Sequence, residues 1–457
     1  MKFEELSFPE APKINGELPG KRTESLLQLQ RRIEGSAVSY PLGIPIVMEE
    51  GRGATVKDAD GNIFIDFFAG AGVLALGHCN PSILESVRTQ QNKITHTLDF
   101  PTEIRLELIE RIRKIMPDEL KNKVKIQFGG PTGSDAVEMA IKLAKYKTKR
   151  HGIIAFEGGY HGMTAGACSI TSGKFWKEKY VPMLPEIHFA PYAYCYRCPL
   201  RRARNECVID CALVYEHILE DPHSGVVHPA ATIIEPVQGE GGSIIPPIEY
   251  ISQVAEISRK FEVPIIFDEI QSGFCRTGKM FSFQHSRARP DIITMSKALG
   301  GGFPLSAIAY HEEFDGWRRA SHIGTFRGSV TAMAAGVASI DFMLENKLDK
   351  YTLNLGEIFL KKLDKLKHNS EIIGDVRGKG LMIGVEIVND KDTKRPSNEL
   401  AAEIRKQSFM RGILVEIGGH YNNVVRFLPP LIITEELANV GLDIFKEAVA
   451  QVERKMT

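Results

Sequence analysis

From about residue 80 to residue 330 the sequence alternates amphipathic helical stretches with short apolar runs, at Val124–Phe128, Gly152–Phe156, Ala231–Glu235, Pro264–Asp268 and Asp291–Met295. Runs that are apolar throughout must be covered on both faces, and their separation by helices predicts a mainly parallel sheet in an α/β domain. Two neighbouring runs stop at a charge. Pro264-Ile-Ile-Phe-Asp268 ends in a carboxylate; Asp291-Ile-Ile-Thr-Met-Ser-Lys297 ends in an amine, followed by Gly300, Gly301, Gly302 and Pro304, so the backbone turns sharply where Lys297 emerges. Open α/β sheets bind ligands beyond the carboxyl ends of their strands, so this cation and anion suggest one shared pocket. Either residue alone would read as a solvated strand end.

The rest of the chain supplies a second lobe. At 457 residues it exceeds the ~100–200 residues usual for one domain. Residues 1 to about 20, rich in proline, glycine and charge, read as an extended arm, and Glu24–Ser39 as a helix. Asp60-Gly61 between two alternating runs predicts a hairpin within Ala54–Asp66. Beyond residue 330 come a long helix from about Thr331, strands around Ile373–Val376, Leu381–Ile387 and Val424–Leu428, and a closing helix. The expected division is therefore 1–75 (arm, helix and hairpin), 76–330 (large domain) and 331–457, the first and last forming a smaller α+β domain from both chain ends.

Lys+Arg and Asp+Glu each number 57, and no basic stripe is interleaved with aromatics, which argues against nucleic acid as a partner. No apolar run approaches the ~18 residues that span a bilayer, and the first residues lack a secretory apolar core. A cytoplasmic protein without a membrane partner is expected. Seven cysteines, an odd number, fit reduced thiols better than a disulfide framework. Four are clustered: Cys195-x-x-Cys198, then Cys207 and Cys211. They are either a structural zinc or iron–sulfur frame, remote from the chemistry, or plain thiols.

Two further stretches follow strand runs. Gly129-Gly-Pro-Thr-Gly133-Ser134-Asp135 opens a helix after Phe128, offering backbone N–H groups and a positive dipole end to an anion. It lacks the Gly-Lys-Ser/Thr ending of a nucleotide P-loop, so a phosphate cup without a triphosphate is expected. Tyr160-His161-Gly162 lies just past Phe156, where an aromatic can stack on a planar ligand or pack into the core. A lysine amine, a carboxylate, an aromatic plate and a phosphate cup at one sheet edge together match the needs of pyridoxal 5′-phosphate (PLP).

From about Glu34 to its last helix the chain resembles the class III (ω) aminotransferases of the fold type I PLP-dependent enzymes. The motifs that carry the resemblance recur in order: Gly77-His78, Gly133-Ser134, Tyr160-His161-Gly162, Glu235-Pro-Val-Gln-Gly-Glu240, Asp268-Glu269-Ile-Gln271, Ser296-Lys297, Gly324-Thr325 and Val425-Arg426-Phe-Leu-Pro-Pro. The resemblance implies that Lys297 forms the cofactor's Schiff base and shuttles the substrate proton. It further implies that Asp268 pairs with the pyridine nitrogen, Gln271 bonds the ring hydroxyl, Tyr160 stacks, and Gly133 and Ser134 bind the phosphate. Thr325 would come from the neighbouring subunit of a homodimer. Arg426 would bind the carboxylate of glutamate or 2-oxoglutarate and pair with Glu240 when an ω-amine donor enters. Met163 stands where 4-aminobutyrate and ornithine aminotransferases carry an arginine, so Ala71–His78, Gly129–Glu138, Tyr160–Thr164 and His322–Ser329 look most similar to the branch acting on 2,4-diaminobutyrate and 2-oxoglutarate. The alternatives are a 4-aminobutyrate- or ornithine-type activity, or an amino-acid racemase or epimerase on the same scaffold.

Overall fold

The computed structural model describes residues 2–456 and divides into two compact units, Ser82–Lys350 and the combination of Met1–Pro81 with Tyr351–Thr457. The first is built on a seven-stranded sheet whose order is Val124–Phe128, Ala307–His311, Ile292–Met295, Ile265–Asp268, Ala231–Ile234, Ile153–Phe156 and Ile187–Ala190. The contiguous strands from Ile292–Met295 outward to Ile187–Ala190 pair in parallel, whereas Ala307–His311 runs antiparallel to both of its neighbours.

The four strands from Ile153–Phe156 to Ile292–Met295 are buried at every position, as their apolar sequences require. Val124–Phe128 departs from the expectation that it is apolar throughout: Lys125 is exposed and Ile126 and Gln127 are half-buried. The strand lies at the sheet edge, where one flank meets solvent and polar side chains are tolerated. Two strands, Ile187–Ala190 and Ala307–His311, were not among the expected runs. The first carries His188 and ends in a single buried alanine; the second follows the glycine cluster so closely that it merges with a loop signal.

Helix Gly133–Thr148 shows how the sheet is covered. Its start is fixed by a capping box, with Thr132 N and Oγ1 both donating to Asp135 Oδ2 at 2.8 Å. Ala136, Val137, Ala140, Ile141, Leu143 and Ala144 form one buried stripe at helical spacing, packed in a cluster with Ile153, Ile233, Ile266 and Ile292 of the sheet. Each such isoleucine, removed entirely from water, contributes roughly 1.5–3 kcal/mol. The helix N-terminus and the strand ends are thereby held at one edge.

In the other unit the hairpin forms where expected. Thr55–Asp58 pairs antiparallel with Ile63–Asp66, Gly61 takes φ +82° in the turn, and Asp58 Oδ1 accepts from Asp60 N and Asn62 N at 2.9 and 2.8 Å. Ile413–Leu414 adds to this sheet in parallel with Ile65 and Asp66, so residues from both chain ends share one sheet. A second sheet carries Ile373–Lys379, Met382–Asp390, Val424–Phe427 and Glu416–Gly418. The early helix spans Lys21–Ile33, shorter than Glu24–Ser39 suggested and starting sooner. Helix Val330–Glu345 belongs to the large unit, and helix Leu348–His368 crosses the division. Among the described residues, no helix is long and apolar enough to cross a membrane.

Candidate active site

Five segments of the large unit end at the same edge of its sheet and line one cavity. Thr132, Gly133 and Ser134 come from the helix start after Phe128, and Tyr160, His161 and Gly162 from the loop after Phe156. Glu235 and Glu240 follow Ile234, Asp268 and Gln271 close the strand Ile265–Asp268, and Lys297 follows Met295. Of the residues singled out in the sequence, Gly133, Ser134, Tyr160, Glu240, Asp268, Gln271 and Lys297 are thus brought together by strand order alone.

Lys297 is half-buried and takes φ +43°, a left-handed conformation uncommon for a residue with a side chain. The strain is held on both sides. Ser296 Oγ donates to Leu305 O at 2.7 Å, closing the glycine-rich turn, and Ala298, Leu299 and Gly300 are buried behind it. Strain maintained in this way at the lip of a cavity marks a side chain whose direction matters.

Asp268 is 3% exposed, and both of its oxygens have partners. Oδ1 accepts from Ile270 N and Thr294 Oγ1, each at 3.1 Å, while Oδ2 lies 2.7 Å from His161 Nδ1. His161 is a buried partner of the carboxylate, and its backbone N–H donates to Thr171 Oγ1 at 2.9 Å. Glu235, which the sequence showed only as one residue of a motif, is buried and lines the cavity as well. The signal for it was present: like Asp268, it is a charge that ends an apolar run.

Tyr160 meets Trp176 edge-on, with ring centroids 5.1 Å apart. Gln271 Nε2 donates to Glu240 Oε1 at 3.2 Å. Ser134 Oγ accepts from Met163 N at 3.1 Å, and Gly162 sits at φ +118° so close to Ser134 that a Cβ there would overlap its side chain. The loop carrying the aromatic plate is therefore pressed against the helix start.

Thr325 and Arg426 do not belong to this set of cavity residues. Thr325 is exposed in a turn, beside exposed Ile323 and Phe326. Arg426 is 1% exposed in the other unit, on strand Val424–Phe427, opposite Gly384 on one side and Glu416 on the other. The cysteine cluster converges, since Cys195, Cys198, Cys207 and Cys211 all line one cavity of about 20 Å³. Even so, all seven cysteines are free thiols, and among the described residues no three Cys, His, Asp or Glu side chains form a group that could hold a metal ion. Burial, with the neighbouring Cys207 adding to it, pushes the Cys211 thiol up to about 12.

The donor set fits PLP. The N-terminus of a 16-residue helix offers N–H groups to a phosphate, and a buried carboxylate, an aromatic ring and a lysine line the same space. Comparison with known proteins agrees. Residues 38–449 match the class III aminotransferase family. A diaminobutyrate–2-oxoglutarate aminotransferase of Haemophilus influenzae is 40% identical over 93% of this chain and 95% of its own. A leucine/methionine racemase of Thermococcus litoralis is 36% identical over 94% and 96%. Among solved structures, a Bacillus anthracis aminotransferase superposes with a TM-score of 0.86 at 27% identity, covering 95% of this chain and all of that one. The strand-end lysine and carboxylate, the phosphate cup and the match along nearly the whole chain have one common explanation: the protein belongs to the class III aminotransferases, PLP-dependent enzymes of fold type I.

Proposed function

We propose that the protein transfers the 4-amino group of 2,4-diaminobutyrate to 2-oxoglutarate, giving aspartate 4-semialdehyde and glutamate, as a cytoplasmic homodimer. The observation that carries this reading is the 40% identity, over nearly its full length, to an enzyme named for that reaction, joined to a cavity furnished for the cofactor.

PLP, when bound, supplies an aldehyde that condenses with amines and a ring that withdraws electrons from the reacting carbon. The residues of the chain do the rest. Gly133 and Ser134 hold the phosphate at the helix N-terminus, helped by Thr325 of the neighbouring subunit. Tyr160 covers the ring, and Gln271 donates to the ring hydroxyl. Asp268, fixed by Ile270 N, Thr294 and His161, keeps a proton on the ring nitrogen by stabilising its charged form. Lys297 would hold the cofactor through its amine and, once displaced by the donor, would move the proton from the amine-bearing carbon of the donor to the cofactor, the reverse transfer placing a proton on the acceptor's carbon in the second half-reaction. Arg426 receives the carboxylate of the 2-oxo acid through its planar fork, and Glu240 pairs with it when that carboxylate is absent.

A racemase is the second reading, favoured by the 36% identity to the Thermococcus litoralis enzyme. The two differ in whether an acceptor is consumed. Purified protein incubated with 2-oxoglutarate and, in parallel, 2,4-diaminobutyrate, ornithine, 4-aminobutyrate or α-amino acids should form glutamate fastest with diaminobutyrate. Enantiomer interconversion without glutamate would replace transamination by racemisation. Lys297→Ala should lose the visible absorbance of the bound cofactor, and its persistence would refute the assignment of the lysine.

A further inference from the structure

The described roles leave one buried group of the cavity unused. Glu235 is 6% exposed, and its carboxylate accepts from two backbone N–H groups on two different loops: Tyr160 N donates to Oε1 at 3.0 Å and Gly239 N to Oε2 at 2.9 Å. The first loop carries the aromatic plate; the second carries Glu240 immediately after the bonded residue. Each loop is also tied to other cavity residues, the first through Met163 N to Ser134 Oγ and His161 Nδ1 to Asp268, the second through Gln271 Nε2 to Glu240 Oε1, but Glu235 is the carboxylate that bonds the backbone of both. Gln238 Nε2 donates to Glu157 O at 2.8 Å, and Gln238 and Ile244 exchange backbone bonds at 3.1 and 3.0 Å.

We propose that Glu235 is a positioning residue, a carboxylate clamp that fixes the spacing between the Tyr160 plate and Glu240 and so governs both cofactor retention and the setting of the acceptor gate. The inference rests on the reading of this cavity as the cofactor site. A charged carboxylate accepts N–H bonds about twice as strongly as a neutral one, so the clamp is tight when Glu235 is ionised and slack when it is protonated. Burial pushes Glu235 up to about 7, His161 pulling it back and Asp268 adding repulsion. His161, Asp268 and Tyr192 are the titratable groups that face it, and Glu240 and Lys297 line the same cavity. Tyr192 holds the backbone beneath it, its hydroxyl donating to Glu235 O at 3.0 Å. The clamp therefore loosens as pH falls through neutrality.

A reporter is built in. The chain has two tryptophans, Trp176 and Trp317, and Trp176 packs against the Tyr160 ring at 5.1 Å. In a Trp317→Phe background, emission from Trp176 reads the position of the plate without reference to turnover. With this holoenzyme, the emission should titrate near pH 7, and Glu235→Gln, whose amide nitrogen cannot accept from either N–H, should abolish the titration and release the cofactor about tenfold faster, the effect of losing one charge-assisted hydrogen bond. Glu235→Gln protein that keeps both the parental emission profile and the parental release rate overturns the proposal, as does a change in melting temperature alone. Should the glutamine variant not fold, Glu235→Asp, one methylene too short to reach both N–H groups, is measured in the same way, with the same two outcomes. Failure of the cofactor reading would appear separately, as purified parental protein without the visible absorbance of a bound cofactor, and leaves the fluorescence result interpretable.

Discussion

Replacing Asp268 by Asn separates the electrostatic work of the site from its architecture. The amide oxygen can keep the two bonds now made by Oδ1, from Ile270 N and Thr294 Oγ1. Its NH₂ can donate to His161 Nδ1 once the imidazole adopts the other tautomer, so the 2.7 Å contact survives with its polarity reversed. The fold should lose little, under about 1.5 kcal/mol, the net worth of one exchanged hydrogen bond, and the melting temperature should fall by no more than about 4 °C. The charge, however, is gone. A unit charge acting on a neighbouring cation about 4 Å away, at the effective dielectric of protein sites, contributes roughly 4 kcal/mol. Losing that much where the ring nitrogen must stay protonated corresponds to about 10³-fold in rate. The assay is a single-turnover half-reaction with donor alone, followed by cofactor absorbance, so that product release does not enter. A loss below about tenfold in a variant of unchanged stability would refute the assignment of Asp268 to the ring nitrogen; a comparable loss accompanied by a large drop in melting temperature would show instead that its three hydrogen bonds are structural.

Three other perturbations read different parts of the molecule. Gly162→Ala should weaken cofactor binding and lower the melting temperature together, because the added Cβ overlaps Ser134 and φ +118° disfavours any side chain; wild-type affinity by cofactor titration would argue against the close loop contact. Glu269 is fully buried, and burial pushes it up to about 7 even though Ser272 Oγ, Ser282 N, Ser282 Oγ and Phe283 N all donate to it. Its folded pKa lies above the ordinary 4.5, so the folded state holds the proton more tightly and the contribution to stability, about 3 kcal/mol, is present below pH 4.5 and lost as pH rises through 7. Calorimetric melting from pH 5 to 8 should show this decline, and Glu269→Gln should flatten it; equal slopes in the two proteins would contradict the linkage. Arg426→Ala should raise the KM for 2-oxoglutarate by roughly 10–100-fold, the loss of one charge-assisted contact, while changing that for the amine donor far less; equal effects on both substrates would remove Arg426 from acceptor binding.

The sequence by itself determined the elements that depend on local rules. Short, almost wholly apolar runs separated by amphipathic helices read as strands covered on both sides, which is why Ile265–Asp268 and Ile292–Met295 were legible and why Asp268 and Lys297 stood out at their ends. Glycine and capping chemistry marked the helix start at Gly133 and the turn at Asp60-Gly61 in the same way. What only the tertiary structure decided is which of these ends are neighbours and what each buried charge touches. Strand Ala307–His311, inserted antiparallel between Val124–Phe128 and Ile292–Met295, brings the phosphate cup to the lysine side of the sheet, yet its sequence offers no sign of direction, because side chains alternate identically in parallel and antiparallel strands. The His161–Asp268 contact joins residues 107 apart in the chain, and the Glu235 clamp ties two loops by their backbone N–H groups, which every sequence possesses. Burial of Arg426 in the middle of a sheet and convergence of the four cysteines on one cavity are likewise matters of register and packing. Periodicity and propensity act over a few residues and can be read along the chain; the pairing of polar groups is fixed by the free energy of burying them together, which is settled only when distant segments meet.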